Sequence, residues 1–280
     1  MSNAENNLPR NLESKAEKWL QEQAQNLGWS KAMKLEGRPT AQGLVGVAID
    51  KNVATIIEVN CETDFVSRNK TFQSMVDSVA NVCLKFASSK AAATGQPLAK
   101  LGMDSERLRS LLGEDGKPLS DHVALLIGSI GENVMLRRAF CFRACEGITV
   151  AGYTHPAPQH SGSKTLHGKY GALVAFKRQD TTSKEPSDRL GRLLCQHIIG
   201  MNPSKIGVEG KDAPAENADE EKCMIHQEYL LDPSQTVAQF MADAGISLVD
   251  FTRFECGEEL DIGTSPEQQR NLDVSIEVGG

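Results

Sequence analysis

Residues 43–60, GLVGVAIDKNVATIIEVN, constrain the fold more than any other stretch of this chain. Two runs of small and β-branched residues flank Lys51-Asn52, a pattern that reads as two antiparallel strands joined by a tight turn. The period then changes. From Asn69 onward Phe72, Met75, Val76, Val79, Cys83 and Phe86 recur at helical intervals. A small-residue linker, SSKAAATGQPLAK, leads to a second helix that we expect Ser120 to cap, with Val123, Leu126, Ile127 and Ile130 on one side and Gly131 as its stop. A strand follows at once, where Val134, Leu136, Phe140 and Phe142 alternate with Arg137, Cys141 and Arg143.

The second half repeats this order. ITVAGYT and YGALVAF read as strands, residues 188–201 as a helix, TVAQFMADAG as a shorter helix and SLVDFTRFECGE as a closing strand. Strands that need a helical layer to cover one face, met twice in the same order, predict an α+β protein. Its core is pseudo-duplicated: two subdomains, at 39–146 and 147–260, each a small antiparallel sheet covered by helices. Ahead of them, Ala16, Trp19, Leu20, Gln23 and Leu27 mark one amphipathic helix, with Ser14 as its N-cap and Gly28 as its stop; it belongs to a segment 1–38 that ends in a connector. A lone terminal helix must dock on the body or on a partner. The stretches 156–168 and 204–226 carry no periodicity and read as loops, and the polar tail 261–280 as disordered.

Composition excludes several classes. No apolar run approaches the ~20 residues that span a bilayer. The net charge is -7 and the basic residues are scattered, which argues against nucleic acid as a direct partner. Seven cysteines in a chain of 280 residues with no signal peptide suggest reduced thiols. The opening, MSNAENNLPRNLES, has one arginine and acids at Glu5 and Glu13, so no transit peptide is visible in it.

The motifs for chemistry are weak. GEDGKP and HGK lack the spacing with which a phosphate-binding loop surrounds its ligand, so no nucleotide cofactor is expected. Cys141, Cys145, His155 and His160 have the spacing of a short Cys2His2 zinc site, which makes a zinc-stabilised adaptor the alternative reading; a small apolar filler is the plainer role for Cys141. None of the six histidines lies in a nucleophile context, and His197 on its amphipathic helix reads as a packed histidine. A thiol-dependent enzyme has no marked site. No catalytic or metal-binding residue is assigned.

That leaves NCETDFVSRN, residues 60–69, where a phenylalanine stands beside an aspartate in a polar corner. Two readings stay open. Phe65 folds back to lock the turn onto the next helix, with Asp64 or Asn69 capping it; or it projects from a rigid strand-to-helix corner as an aromatic anchor for a partner.

NCETDFVSRN with the VATIIEV strand before it closely resembles the signature of elongation factor Ts, the guanine-nucleotide exchange factor of elongation factor Tu. IGENVMLRRA at 130–139 resembles the family's second signature, DFTRFECGE at 250–258 its closing strand, and AEKWLQEQAQNLGWSKAMKLEGR the end of its N-terminal domain and linker. The resemblance implies that Asp64 and Phe65 are presented to the GTPase near its magnesium site, where the ring wedges between side chains, with Thr63 and Val66 shaping the corner. Ile130 and Gly131 match contact positions on the partner, and His155 matches a histidine whose following glycine is here Pro156. Magnesium and GDP belong to the partner. A loop inserted between GYTH and KYGALV, and the shortness of 203–227, resemble the mitochondrial branch; they imply a mitochondrial location and a one-to-one complex with Tu, without homodimers. The resemblance also implies a three-helix N-terminal domain, of which only the last helix, Ser14 to Leu27, is recognisable.

Overall fold

The computed structural model describes residues 10–90, 96–157, 164–179 and 185–260. His160 and the tail 261–280 lie outside them. The opening hairpin forms as its pattern dictates: β1 (Gln42–Asp50) pairs with β2 (Val53–Cys61), from Gln42 against Cys61 to Asp50 against Val53. Lys51 takes a φ of 53° in the two-residue turn, the left-handed region that such tight hairpins require. β2 also pairs with β4 (Val134–Ala144), which pairs with β3 (Leu98–Asp104). With β6 (Leu166–Gly168) on the far edge, the order is β3-β4-β2-β1-β6. The second sheet is β10-β7-β5, built from β5 (Ile148–His155), β7 (Tyr170–Arg178) and β10 (Ile246–Glu255). All these pairings are antiparallel.

The repeat foreseen in the sequence is present in the connectivity. In the first half β2 lies between β1 and β4; in the second β7 lies between β5 and β10. Each central strand runs on toward a covering helix, α3 (Lys70–Ser89) after β2 and α6 (Ser187–Met201) after β7. Each outer strand is entered from a second helix, β4 from α5 (Leu119–Ile130) and β10 from α7 (Val237–Asp243).

The layers stack helix, sheet, sheet, helix. Phe72, Val76, Val79 and Cys83 of α3 pack with Leu126 and Ile127 of α5 on one face of the first sheet, against Ile57, Val59 and Cys61. Leu190, Leu194 and Ile198 of α6 cover the second sheet at Ala172, Val174 and Phe176. Between the sheets lies a third cluster, where Val45, Val47, Ala54 and Ile56 meet Val150, Leu173 and Ala175. This explains why VATIIEVNC is buried at every position: odd residues of β2 face the helices and even ones the other sheet, so that Glu58 and Asn60 too are covered.

Several boundaries differ from the expectation. The N-terminal helix, α1 (Arg10–Leu35), runs through Gly28 instead of stopping there. A Cβ at Gly28 would stand 2.5 Å from the carbonyl oxygen of Ala124, and one at Gly128 would stand 3.0 Å from the Cα of Gly28, so the two glycines let α1 cross α5 backbone to backbone. Gly28 is a packing glycine, not a cap. The linker 88–100 contains the start of β3, and a short helix α4 (Ser105–Ser110), capped by Asp104, follows it. The second helix begins at Leu119 after Pro118, with no side-chain cap, so Ser120 does not serve as one. The loop 156–168 ends in β6, which His167 fastens to Asp77 of α3 at 2.7 Å.

Candidate functional site

β2 ends at Cys61, and three residues later the chain is already helical in the four-residue α2 (Asp64–Ser67). Thr63 is the residue that turns it. Its backbone is extended (φ −124°, ψ 156°), and its Oγ1 accepts from the Val66 N–H at 3.4 Å, as a helix N-cap does. The same hydroxyl donates to Glu132 Oε1 at 2.8 Å, while the Thr63 N–H donates to Glu132 Oε2 at 3.1 Å. Both carboxylate oxygens of Glu132 are thus engaged by one residue of the corner. In the other direction Glu62 Oε1 accepts from the Asn133 N–H at 2.7 Å, and its other oxygen faces Arg38 at 3.5 Å. Ser67 Oγ closes α2 by donating to the Asp64 carbonyl at 2.8 Å.

On this corner Val66 and Ser67 are buried and Phe65 is 79% exposed. The reading in which Phe65 folds back to lock the turn is overturned. Val66 packs into the core and Asn69, not Asp64, caps α3 by accepting from the Thr71 N–H at 2.7 Å. Asp64 pairs with Arg68 one turn on, at 2.7 Å, on the surface beside the ring. A phenylalanine left this exposed on a clasped four-residue helix is unusual, since aromatic rings of this kind are ordinarily buried.

The other residues singled out lie at the same end of the sheets. Ile130 ends α5 and Gly131 takes φ 78° to leave it, immediately before the Glu132 that grips Thr63. His155 ends β5, exposed; its carbonyl accepts from the Lys169 N–H at 2.8 Å, and Lys169 Nζ donates to the carbonyl of Gly43 at 2.8 Å, one residue along from the partner of Cys61 in β1.

Behind the corner three of the four quoted motifs meet in one ion cluster. A bulge in β4 sets Arg137 as an extra residue opposite the Glu58/Val59 step, so Arg137 and Arg138 both reach Glu58, each at 2.7 Å. The Gly257 N–H donates to Glu58 at 2.7 Å, and Arg138 also pairs with Glu258 and stacks 3.9 Å over the Phe254 ring. Burial works to raise the Glu58 carboxyl, but the charge of Arg138 and the bonds from Gly257, Arg137 and Asn60 hold it below the usual glutamate value.

The zinc reading finds no geometry. Cys141 is buried beneath α3, donating to Thr55 Oγ1 at 3.2 Å, whereas Cys145 and His155 are exposed, and among the described residues no three candidate ligands converge. Burial pushes the thiols of Cys61 and Cys141 up to about 12 and that of Cys256 to about 11, the reverse of an activated nucleophile. His197 is a core residue as expected. Its Nδ1 accepts from the Leu230 N–H at 3.2 Å, so its Nε2–H donates to Gln227 Oε1 at 3.0 Å, and burial lowers its pKa to about 4.

Sequence reasoning singled out Thr63, Asp64, Phe65 and Val66, which the structure places on one corner, but not Glu62, Arg38 and Glu132, the residues that hold that corner. Glu132 lay inside a quoted motif, yet its bond to a residue 69 positions away leaves no local mark.

The fold and the corner define a helix-covered α+β protein that displays an aromatic side chain beside a buried turn. Comparison with known proteins narrows this. A family model described as elongation factor TS matches residues 62–222. The mitochondrial elongation factor Ts of Aedes aegypti is 48% identical over 249 residues, 88% of this chain and 80% of its own. That of Drosophila melanogaster is 50% identical over 246 residues (87% and 76%), and that of Homo sapiens 44% over 248 (87% and 74%). The chain belongs to the elongation factor Ts family, factors of protein biosynthesis, and its relatives place it in the mitochondrion.

Proposed function

We propose that this protein binds elongation factor Tu one-to-one and promotes release of GDP, with Phe65 as the wedge that disturbs the partner's magnesium and phosphate site. The observation that carries the reading is the exposure of Phe65, next to the buried Val66, on a corner whose backbone is fixed on both sides. A ring carried on a backbone that is already fixed enters a partner's pocket without first losing chain entropy, which is what makes such an anchor effective. Asp64 brings negative charge beside it, and Ile130, Gly131 and His155 extend the contact along the same end of the sheets. The first half, 39–146, carries the wedge, and 147–260 supplies the second sheet and a flank of the contact; homodimers are not part of the working form.

The thermodynamics are those of linkage. A factor that binds empty Tu more tightly than the GDP form weakens GDP by the same ratio. No covalent bond is made or broken, and GDP and magnesium are ligands of the partner, not of this chain.

The test is release of a fluorescent GDP analogue from mitochondrial Tu. The unmodified chain accelerates it; Phe65→Ala slows the accelerated rate roughly 30- to 1,000-fold, the equivalent of about 2–4 kcal/mol at a buried anchor. No acceleration by the unmodified chain overturns the function, and normal acceleration by Phe65→Ala overturns the wedge alone.

A further inference from the structure

We propose that Glu132 is the positioning residue of the exchange wedge: it sets the direction of Phe65 by gripping Thr63. The proposal rests on the reading of Phe65 as the wedge. Glu132 touches neither Phe65 nor any surface beyond it in the described contacts; it acts through one residue. Its Oε2 takes the Thr63 N–H and its Oε1 takes the Thr63 hydroxyl proton. With its proton committed there, that hydroxyl is left with its lone pairs for the Val66 N–H, the bond that starts α2. A single hydroxyl therefore couples the carboxylate to the first turn of the helix that carries Phe65.

Three features make this more than a turn like any other. α2 has four residues, too few for its own hydrogen bonds to fix an axis. The gripping residue comes from the α5–β4 loop, far along the chain, and that loop starts from Gly131 in the left-handed conformation that frees Glu132 to face the corner. The grip is also reciprocated, since Glu62 on the corner takes the Asn133 N–H of the same loop. Two short segments thus hold each other by side chain to backbone at two points. Loss of Glu132 frees one of them and leaves the apolar packing of Val66 intact.

The experiment compares saturated GDP-release rate and half-saturating concentration for Glu132→Ala, Glu132→Gln, Thr63→Val, Thr63→Ser and Phe65→Ala, each with mitochondrial Tu and with thermal unfolding measured alongside. Glu132→Ala and Thr63→Val should each lower the saturated rate roughly tenfold, as expected for losing hydrogen bonds to a charged group. The half-saturating concentration should move far less. Thr63→Ser keeps the hydroxyl and Glu132→Gln keeps one acceptor, so both should recover most of the rate. The decisive arm is Glu132→Ala combined with Phe65→Ala: if Glu132 works through the ring, the pair is no slower than Phe65→Ala alone. An additive loss, or a normal saturated rate for Glu132→Ala while Phe65→Ala is slow, overturns the positioning role and leaves the wedge standing. A normal rate for Phe65→Ala overturns the wedge, and the positioning role with it. Should Glu132→Ala unfold, Glu132→Asp, which keeps the charge but withdraws it from Thr63, decides the same question: a slow rate that adds nothing to the loss in Phe65→Ala supports the grip, and a normal rate overturns it.

Discussion

The two halves of this molecule place a joint at the same point of their topology and build it differently. In the first half the loop between α5 and β4 meets the end of β2, and three hydrogen bonds from Glu132 and Asn133 bind the Glu62-Thr63 corner. In the second half the connection between α7 and β10 meets the end of β7, and the described contact is a backbone bond, Gln179 N–H to the Gly245 carbonyl at 2.7 Å. Duplication repeats the layers; the polar side chains at one joint clasp it and the other lacks such a clasp among the described contacts. The interiors differ in the same sense. The first half buries an anion among arginines, and the second buries a neutral histidine between a glutamine and a backbone amide.

If that contrast is real, removing the buried anion does the most damage. Glu58→Ala strands Arg137 and Arg138 against the end of β10, and breaking a buried pair from one side costs about 3–5 kcal/mol. Urea unfolding of the variant measures it. A loss below about 1 kcal/mol, with Glu258 taking up both arginines, would mean that the cluster is not what joins the β2, β4 and β10 motifs. Acid makes the same point by titration. Because the folded carboxyl sits below its usual value, its contribution is present above that value and is lost as pH falls through the lowered one.

The histidine of the second half acts in a separate, higher window. His197 titrates near 6.5 unfolded and about 4 folded, so between these values the unfolded chain binds the extra proton and stability falls as pH is lowered. From pH 7 to pH 5 the loss attributable to it is roughly 2 kcal/mol. Urea midpoints measured across that range for the unmodified chain and for His197→Gln should converge toward acid. Parallel curves would show that His197 charges in place and that the second half is not a neutral core.

How much of this was legible in the sequence follows from the range of each interaction. Burial writes a period into the chain, so the hairpin, α3, α6 and the closing strands were readable from Phe72, Val76 or Leu194 and their spacing. β3 was not, because LAKLGMD follows a run of alanines and lies on a sheet edge where alternation is weak. Phe65 misled on residues alone: the frequency with which phenylalanines are buried argued for an inward ring, and the neighbour that does lock the turn, Val66, stands one residue on. The clasp was illegible for a different reason. Glu132 and Thr63 are ordinary polar residues whose meaning lies in a pairing across 69 positions.

The smallest effect tests where the first half ends. α1 covers α5 and gives the first half a helix with no counterpart in the second among the described elements. It is held at the Gly28–Gly128 crossing, by Gln25 Nε2 to the Asp121 carbonyl at 3.1 Å and by Lys31 Nζ to the Gly128 carbonyl at 2.7 Å, while Trp19, Leu20 and Leu27 stay exposed. Gly28→Ala drives a methyl into the Ala124 carbonyl, and overpacking of this kind costs about 1–3 kcal/mol; the alanine returns about 1 kcal/mol of helix propensity. The net is a loss of about 1 kcal/mol confined to the α1–α5 contact. Amide hydrogen exchange should therefore quicken along α1 and around residues 124–128 of α5 and stay unchanged in β7. Quickening throughout both sheets would make α1 part of the common core, and slower exchange in α1 would mean that the crossing can open without cost and that the glycine is there for some other reason.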